Sequence, residues 1–579
     1  MGRPASRGAI AVVAFGAIYA VAAGVVAARR PLWNDELYTY HFARVPDVAD
    51  LWRALQTGAD QAPPLAYLLT RASLGLFGTS PLSIRLPELV AFFVFSVCMY
   101  AFVARRTNEL YGLIAMLLPS VTAAYYYASE ARAYALVLAF GALALVFWQL
   151  ATEGVRRRVT VPGLFVALFL ATSSHYYAVL ILIPLLLGEL ARTALLRKAD
   201  WRVWLAFSGS LLPLVAFIQL VRASHGYAAD FWGTPRWPDV LGFFSFLLDT
   251  RSRVGGVELG QVGRPNAWSL VLLALAVFVA AVVVLSPLAE WLRRRRARVA
   301  LLAAIAAGSL LGIAAVEAGS NVPLSRAGAV VAAAAGVAIA GYLFQRLRGR
   351  EPLLEGPPAY ETVAVAAFLL IPLAGVMLAH TVTHAYTHRY ALPAVIGLAV
   401  LPLALYRLEG RRTAVGAAAA ATLVVAFLVV SVSREQNASR LATDQRRTVR
   451  FLQEHAGIGA PILIDNPHTF LELSHVAPPR LARRFVYIAD PNWESTQRGL
   501  PAVGRIASVR VYERKDAAAA LPAFLLAYYA SNVAFWSDTR YWSGLRLLRS
   551  EGRTVTRRAV FDDGALYAVS TSRAGGSDR

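Results

Sequence analysis

The sequence predicts a polytopic α-helical membrane protein with about thirteen transmembrane helices and a C-terminal α/β domain outside the membrane. Three observations carry this. Long apolar runs recur from the N-terminus to about residue 432. Arginine clusters fall in every second connection between them. After about residue 433 the long runs stop, and short apolar stretches bounded by polar turns replace them. Composition agrees: only 16% of residues are charged, against about 25% in an ordinary soluble domain, and the mean hydropathy is +0.52.

The runs lie at about 9–28, 85–104, 110–126, 133–151, 159–175, 177–195, 203–221, 267–291, 299–317, 326–345, 361–380, 391–406 and 412–432, with a helix of about 20 residues per crossing. The first, Ile10 to Ala28, has an Ala-rich end like a signal-peptide cleavage site. It is long for a signal segment and many spans follow, so it reads as an uncleaved first helix. Arg3 and Arg7, Arg105-Arg106, Arg156 to Arg158, Arg197-Lys198, Arg293 to Arg296, Arg346/Arg348/Arg350 and Arg411-Arg412 then share one side. The positive-inside rule makes that side, with the N-terminus, cytoplasmic. An odd number of spans puts the C-terminal domain outside. The net charge of +22 is thereby explained largely by topology, which disfavours a nucleic-acid partner. The single cysteine, Cys98, lies inside an apolar run and reads as a small core residue.

The division expected is 1–432 for the membrane domain and 433–579 for the outer domain. The first outward loop, about 29–84, contains Val48, Leu51, Trp52 and Leu55 at helical spacing. That stretch is either an amphipathic helix on the membrane surface or a small packed loop helix. A second long outward loop, about 222–266, is rich in aromatics and glycine. In the outer domain, Ala460 to Asp465 and Arg484 to Asp490 read as strands. Ala559 to Ser570 reads as a hairpin turning at Asp562-Asp563-Gly564, and 516–530 as helix. The tail 571–579 reads as disordered.

Candidate chemistry collects in the outward connections. Trp33-Asn34-Asp35-Glu36 follows the first span, where ionised groups beside a bilayer need water or partners. The next outward connection places Glu130 and Arg132 between apolar runs. They make either a snorkelling pair or a phosphate site, since Arg binds phosphate through paired planar hydrogen bonds. Arg85 lies just inside the second span, and His380, His384, His388 and Arg389 end the eleventh. The histidine spacing of four would stack the rings on a helix, as in some metal sites. No neighbouring carboxylate or Cys completes a ligand set, so polar contact with substrate is favoured over metal. Carboxylates and arginines on one face suit a reaction on a phosphate-linked lipid: a carboxylate takes the proton of an attacking hydroxyl, and arginines neutralise the departing phosphate.

Four ordered segments resemble the GT-C class of membrane glycosyltransferases, within it the protein O-mannosyltransferase and aminoarabinose transferase group. They are Trp33-Asn34-Asp35-Glu36, Gln61-Ala62-Pro63-Pro64-Leu65-Ala66-Tyr67, Leu82 to Pro87 around Arg85, and Glu130 to Leu136. Arg389-Tyr390-Ala391-Leu392-Pro393 is a weaker fifth. Two positions depart from the pattern: many members have His where Ala62 stands, and Pro is common in place of Ala133. The resemblance implies a polyprenyl-phosphate-linked sugar donor used at the outer face, with single displacement and inversion at the anomeric carbon. It implies Asp35 as general base, with Glu36 and Glu130 orienting the acceptor or assisting. It implies Arg132 and Arg389, with Arg85 behind them and Tyr134, His388 and Tyr390 around them, as the donor-phosphate site. Trp33, Gln61, Pro63 and Pro64 would support the loop or the acceptor, and no metal or other cofactor is implied. The acceptor would be a glycan, lipid or protein hydroxyl. Arginine-rich, lysine-poor and alanine-rich usage points to a high-GC bacterium and its cytoplasmic membrane. A lipid or polysaccharide transporter or flippase without transferase activity is the alternative, and a membrane scaffold a third. The halves show no repeat and the charges lie at the outer edge, which favours the transferase.

Overall fold

A computed structural model describes residues 7–225, 233–248, 357–409, 413–489, 504–513, 523–529, 552–561 and 564–570, with the single positions 521, 548 and 549. The expected spans at 267–291, 299–317 and 326–345 lie outside these residues, as do most of the second outward loop and the tail.

The chain begins with α1 (Arg7–Arg29). Three short helices follow, α2 (Asn34–Ala43), α3 (Val48–Gln56) and α4 (Leu65–Phe77), before α5 (Pro81–Ala104). Ser80 caps α5 by accepting from the Ser83 N–H, with Pro81 in the first turn, where its missing N–H costs nothing. Next come α6 (Glu109–Leu117), α7 (Tyr134–Thr152), α8 (Arg157–Ser174), and α9 (Leu182–Leu196) behind a 3-10 turn at Tyr176–Ile181. Then follow α10 (Trp201–Gly209), α11 (Leu212–Ala216), α12 (Ile218–His225) and α13 (Asp239–Leu248). Beyond the undescribed stretch lie α14 (Ala359–Phe368), α15 (Ile371–Leu378), a 3-10 segment at His388–Ala399 and α16 (Val400–Glu409).

Six of the described helical segments are long and apolar enough to cross a membrane, and up to nine if each bent pair counts as one span. The expected crossing 110–126 is one of those bent pairs. Helix α6 gives way to 3-10 turns, and the axis bends by 76°. Pro119 lies in the 3-10 turn Leu118–Val121, three residues before the bend at Thr122; it has no N–H to donate and crowds the carbonyl four residues back. The crossings 203–221 and 361–380 are bent by 59° and 52°, with Pro213 and Pro372 nearby.

Ion pairs gather one set of connections at one end of the bundle. Arg105 and Arg106 meet Glu153, Arg106 also meets Glu361, and Arg157 meets Asp200. These are connections that the arginine alternation put on one side. Asp35, Glu36, Glu130 and Arg389 belong to the opposite set of connections.

Helix α17 (Ala414–His455) runs 42 residues without a break, straight through the 432/433 boundary expected from composition. It leads into a six-stranded sheet ordered β3-β2-β1-β4-β6-β5. The strands are β1 (Ile462–Ile464), β2 (Phe485–Ala489), β3 (Arg510–Glu513), β4 (Ala523–Tyr529), β5 (Thr554–Phe561) and β6 (Gly564–Ser570). The β3-β2-β1-β4 portion is parallel, and β6 is antiparallel to β4 and β5. Helices α18 (Pro467–Val476) and α19 (Pro479–Ala482) connect β1 to β2. The helix expected over 516–530 is corrected: 523–529 is strand β4, paired with β1 and β6. A short run of apolar residues does not distinguish a buried strand from a helix by its period, and neighbouring strands decide.

One hydrophobic core joins the segment between α1 and α5 to this sheet. Leu37, Phe42, Leu51 and Leu55 share it with Leu452, Ile462, Phe470, Tyr487 and Leu566. Helix α3 is therefore a packed loop helix: Leu51 and Leu55 are buried, and Trp52 meets Phe217 at 6.1 Å.

Candidate active site

Residues 30–32 lead from α1 to Trp33, the extended N-cap of α2. Asp35 and Glu36 stand in the first turn, where the helix N-terminus favours negative charge. Successive residues on a helix point about 100° apart, so the adjacent carboxylates take different surroundings. Glu36 turns inward and is fully buried, while the Asp35 side chain retains 20% of its exposure.

Glu36 accepts from Arg85 Nε and Nη2, both at 2.6 Å, from Arg30 Nη2 at 3.1 Å and from the Ala131 N–H at 2.9 Å. It also reaches back to the Trp33 N–H at 3.4 Å, one half of a capping box. Burial opposes its charge, but Arg30 and Arg85 outweigh that and hold the carboxyl below its ordinary range. Arg85 is fully buried and donates as well to the carbonyls of Ala27, Arg30 and Pro31. The expectation set Arg85 behind Arg132 and Arg389 at the donor phosphate. Its donors are turned onto Glu36 and the end of α1. Glu36 is correspondingly a buried joint among α1, α5 and the connection before α7. Removing one partner of such a pair leaves an unpaired buried charge, at a cost of about 3–5 kcal/mol.

Asp35 Oδ2 accepts from Arg389 Nη1 at 2.9 Å, which brings together residues remote in sequence. Arg389 also lies over the Tyr134 ring, 5.5 Å from its centroid. Arg132 donates to the Asp35 carbonyl at 3.4 Å, while its main contact is a two-point pair with Asp60, at 2.6 and 3.0 Å. Burial pushes the Asp35 carboxyl up, and Arg389, then Arg132, pull it below its ordinary value. Glu130 is buried, and among the described residues neither of its oxygens has a hydrogen-bond partner. Burial pushes its pKa up to about 7, against the pull of Arg30. It does not pair with Arg132, whose partner is Asp60.

Tyr390 packs on Tyr177 at 4.5 Å and on His175 at 5.1 Å, and Tyr134 on Tyr127 at 4.9 Å. Gln61 donates its N–H to Asp60, Pro63 is buried, and Pro64 precedes α4 as its N-cap. The three histidines are not stacked. A π-helical turn at Ala379–Thr383 and a left-handed His384 break the helix. His380 stacks on Trp237, His384 meets His225, and His388 stacks on Phe246. Among the described residues no group of three or more metal-ligating side chains gathers.

Residues 61–225 match the family model described as dolichyl-phosphate-mannose-protein mannosyltransferase. The match covers the second and fourth motif segments and Arg85, and it supports the GT-C assignment that the motifs carry. No curated protein matches the chain. Among solved structures, the chain is similar to ArnT from Cupriavidus metallidurans bound to undecaprenyl phosphate. Identity is 16%, coverage 99% of this chain and 100% of that one, and the TM-score 0.43. For ArnT from the same organism in the apo state the values are 15%, 98%, 99% and 0.43.

The sheet brings residues to this site that the motifs did not mark. Helix α18 leaves the carboxyl end of the central strand β1, capped by Asn466, and packs on α2. His468, Glu472 and His475 share a face by their spacing of four and three. His468 is near enough for its charge state to couple to Asp35, and burial lowers its pKa. Glu472 accepts from the Asn34 N–H, and burial raises it to about 8. His475 meets the Tyr40 ring at 5.1 Å. Arg30 and Asp60 were also missed as partners. A motif reading scores each segment alone, whereas these residues gain meaning from what faces them.

Proposed function

We propose that the chain is a membrane glycosyltransferase that moves a sugar from a polyprenyl-phosphate-linked donor to an acceptor hydroxyl at the outer face of a bacterial cytoplasmic membrane. The observation that carries the reading is the convergence of Arg389 and Arg132 on Asp35, the more accessible of two adjacent carboxylates. The family description supports a lipid-phosphate sugar donor.

In this reading Asp35 takes the proton of the acceptor hydroxyl as its oxygen attacks the anomeric carbon. The bond from that carbon to the phosphate oxygen breaks, and its electron pair leaves with the polyprenyl phosphate. Arg389 and Arg132 neutralise that leaving group. Configuration inverts, and no covalent enzyme intermediate forms. The donor phosphate takes the place of the Asp35 carboxylate on Arg389, so donor binding frees the base and relieves the pull that keeps it acidic. Tyr134 and Tyr390 form the aromatic wall behind Arg389. Glu130, holding a proton for part of the time near neutral pH, donates a hydrogen bond to a substrate oxygen.

Asp35→Asn tests the assignment, because it keeps shape and removes the base. Purified, folded variant in proteoliposomes with labelled polyprenyl-phosphate sugar should lose transfer by about 10²-fold or more while still retaining the lipid phosphate. Transfer at the unaltered rate would refute Asp35 as base.

A further inference from the structure

A groove of about 660 Å³ lies between the end of α2, helix α3 and residues 505–508 beside the sheet. Its lining includes His41, Arg44, Asp50, Arg53, Arg505 and Ser508. Three arginines face one carboxylate, and that carboxylate, Asp50, is already paired with Arg53. The excess is positive. The walls are also held in place. Arg44 donates to Tyr40 Oη at 2.5 Å, with its guanidinium over the same ring at 4.8 Å. Arg71 of α4 donates to the carbonyls of Val45 and Pro46 and so pins the turn between α2 and α3. Across the groove, Ser508 takes a left-handed backbone, φ 57°, a conformation that non-glycine residues adopt at a cost and that gathers at binding sites. His41 stays neutral under burial and the nearby His475 and Arg44, with its pKa lowered to about 4.

The groove and the proposed base stand on one helix. Asp35 is in the first turn of α2 and Arg44 is its C-cap, a separation of about 13 Å along the axis. The volume falls in the range of small-ligand pockets, about 300–1,000 Å³, and is too small for a folded partner. Guanidinium forks match carboxylate and phosphate oxygens.

We propose that this groove holds an acidic stretch of the acceptor, a carboxylate- or phosphate-bearing glycan chain, while a hydroxyl farther along that chain reaches Asp35. The proposal rests on the transferase reading and adds to it the class of acceptor. The groove is formed jointly by α2, α3 and the 505–508 segment that leads into β3, so it also gives the C-terminal part a role in choosing the substrate.

The probe is a fluorescently labelled tetrauronate, with a neutral tetraglucan of equal length as control and a short-chain anionic phospholipid as competitor. Binding to the full-length protein in a zwitterionic detergent is followed by anisotropy at about 50 and about 200 mM salt. The tetrauronate should bind and weaken with salt, and the neutral chain should not bind. The double variant Arg53→Gln/Arg505→Gln alters two exposed side chains and should weaken the tetrauronate at least tenfold; Arg53→Lys/Arg505→Lys should recover part of the loss. Equal binding of acidic and neutral chains overturns the proposal. So does indifference to the double variant, or binding of the anionic phospholipid without the tetrauronate. Asp35→Asn separates the two readings: it should leave tetrauronate binding intact while removing transfer. Retained transfer in that variant refutes the base assignment without touching the groove.

Discussion

A base that will take a proton from a sugar hydroxyl gains from being less acidic than Asp35 is beside Arg389 and Arg132. The sign of their effect is testable. Removing a cation raises the carboxyl pKa, so Arg389→Gln should move the acid limb of the kcat/KM profile for transfer to higher pH, besides raising the donor KM. A limb that stays in place would show that Asp35 does not set it. Glu130 has the opposite sign. Its folded pKa rises from 4.5 to about 7, so the folded protein binds a proton that the unfolded chain has released over that window. Stability should fall as pH rises from about 4.5 to about 7, by on the order of 3 kcal/mol, and level off above. Glu130→Gln should flatten the melting temperature over that window while keeping the fold. The sequence displayed these carboxylates but not their difference. Adjacent letters look equivalent until the helix turns one toward Arg85 and the other toward Arg389.

Helix α18 shows what a short element adds. Its apolar residues Phe470, Leu471 and Leu473 enter the core shared with α2 and α3, while His468 and Glu472 approach the first turn of α2. Phe470→Ala should cost about 3–5 kcal/mol, the range for an aromatic removed from a packed core. It should also lower transfer, because the first turn of α2 loses its backing. Thermal unfolding and transfer rate measured on the same preparation check both. A variant that melts early yet transfers normally would separate α18 from the site. The strands near 462–464 and 485–489 and the antiparallel pairing of β5 with β6 were legible from short apolar runs and turn residues, while Asp562 and Asp563 lie outside the described residues. Strand β4 was not: Ala523 to Tyr529 has no period that separates it from a helix, and its identity comes from pairing with β1 and β6. The same holds for 110–126, whose hydropathy reads as a span although its axis turns by 76° at Thr122.

Across the molecule, the segment 29–84 and the C-terminal sheet share a single core. A chain ending at His455 should therefore leave Leu37, Leu51 and Leu55 without their partners. We expect residues 29–84 of that shortened protein to be cut rapidly in limited proteolysis, against slow cleavage in the full chain, with transfer lost. Slow cleavage in both would mean that the segment folds alone. The grouping of Arg105, Arg106 and Arg157 at one end of the bundle was legible at this scale because arginines repeat with a period that many loops reinforce. The union of 29–84 with the sheet was not, since no local pattern in 29–84 reports a partner some four hundred residues away.

Helix α17 makes one further demand. At 42 residues it is about 63 Å long, roughly twice the 30 Å hydrocarbon layer. Arg434 on this helix donates to the Tyr126 carbonyl at 3.0 Å, and Glu435 pairs with Arg29. The sheet thus rides on a stiff mast stepped into the bundle beside α1. A thinner or thicker bilayer that changes the mast's tilt carries α18 with it relative to the membrane plane. Since α18 packs on α2, lipid chain length then becomes a mechanical input to how α2, and Asp35 with it, is held over the membrane plane.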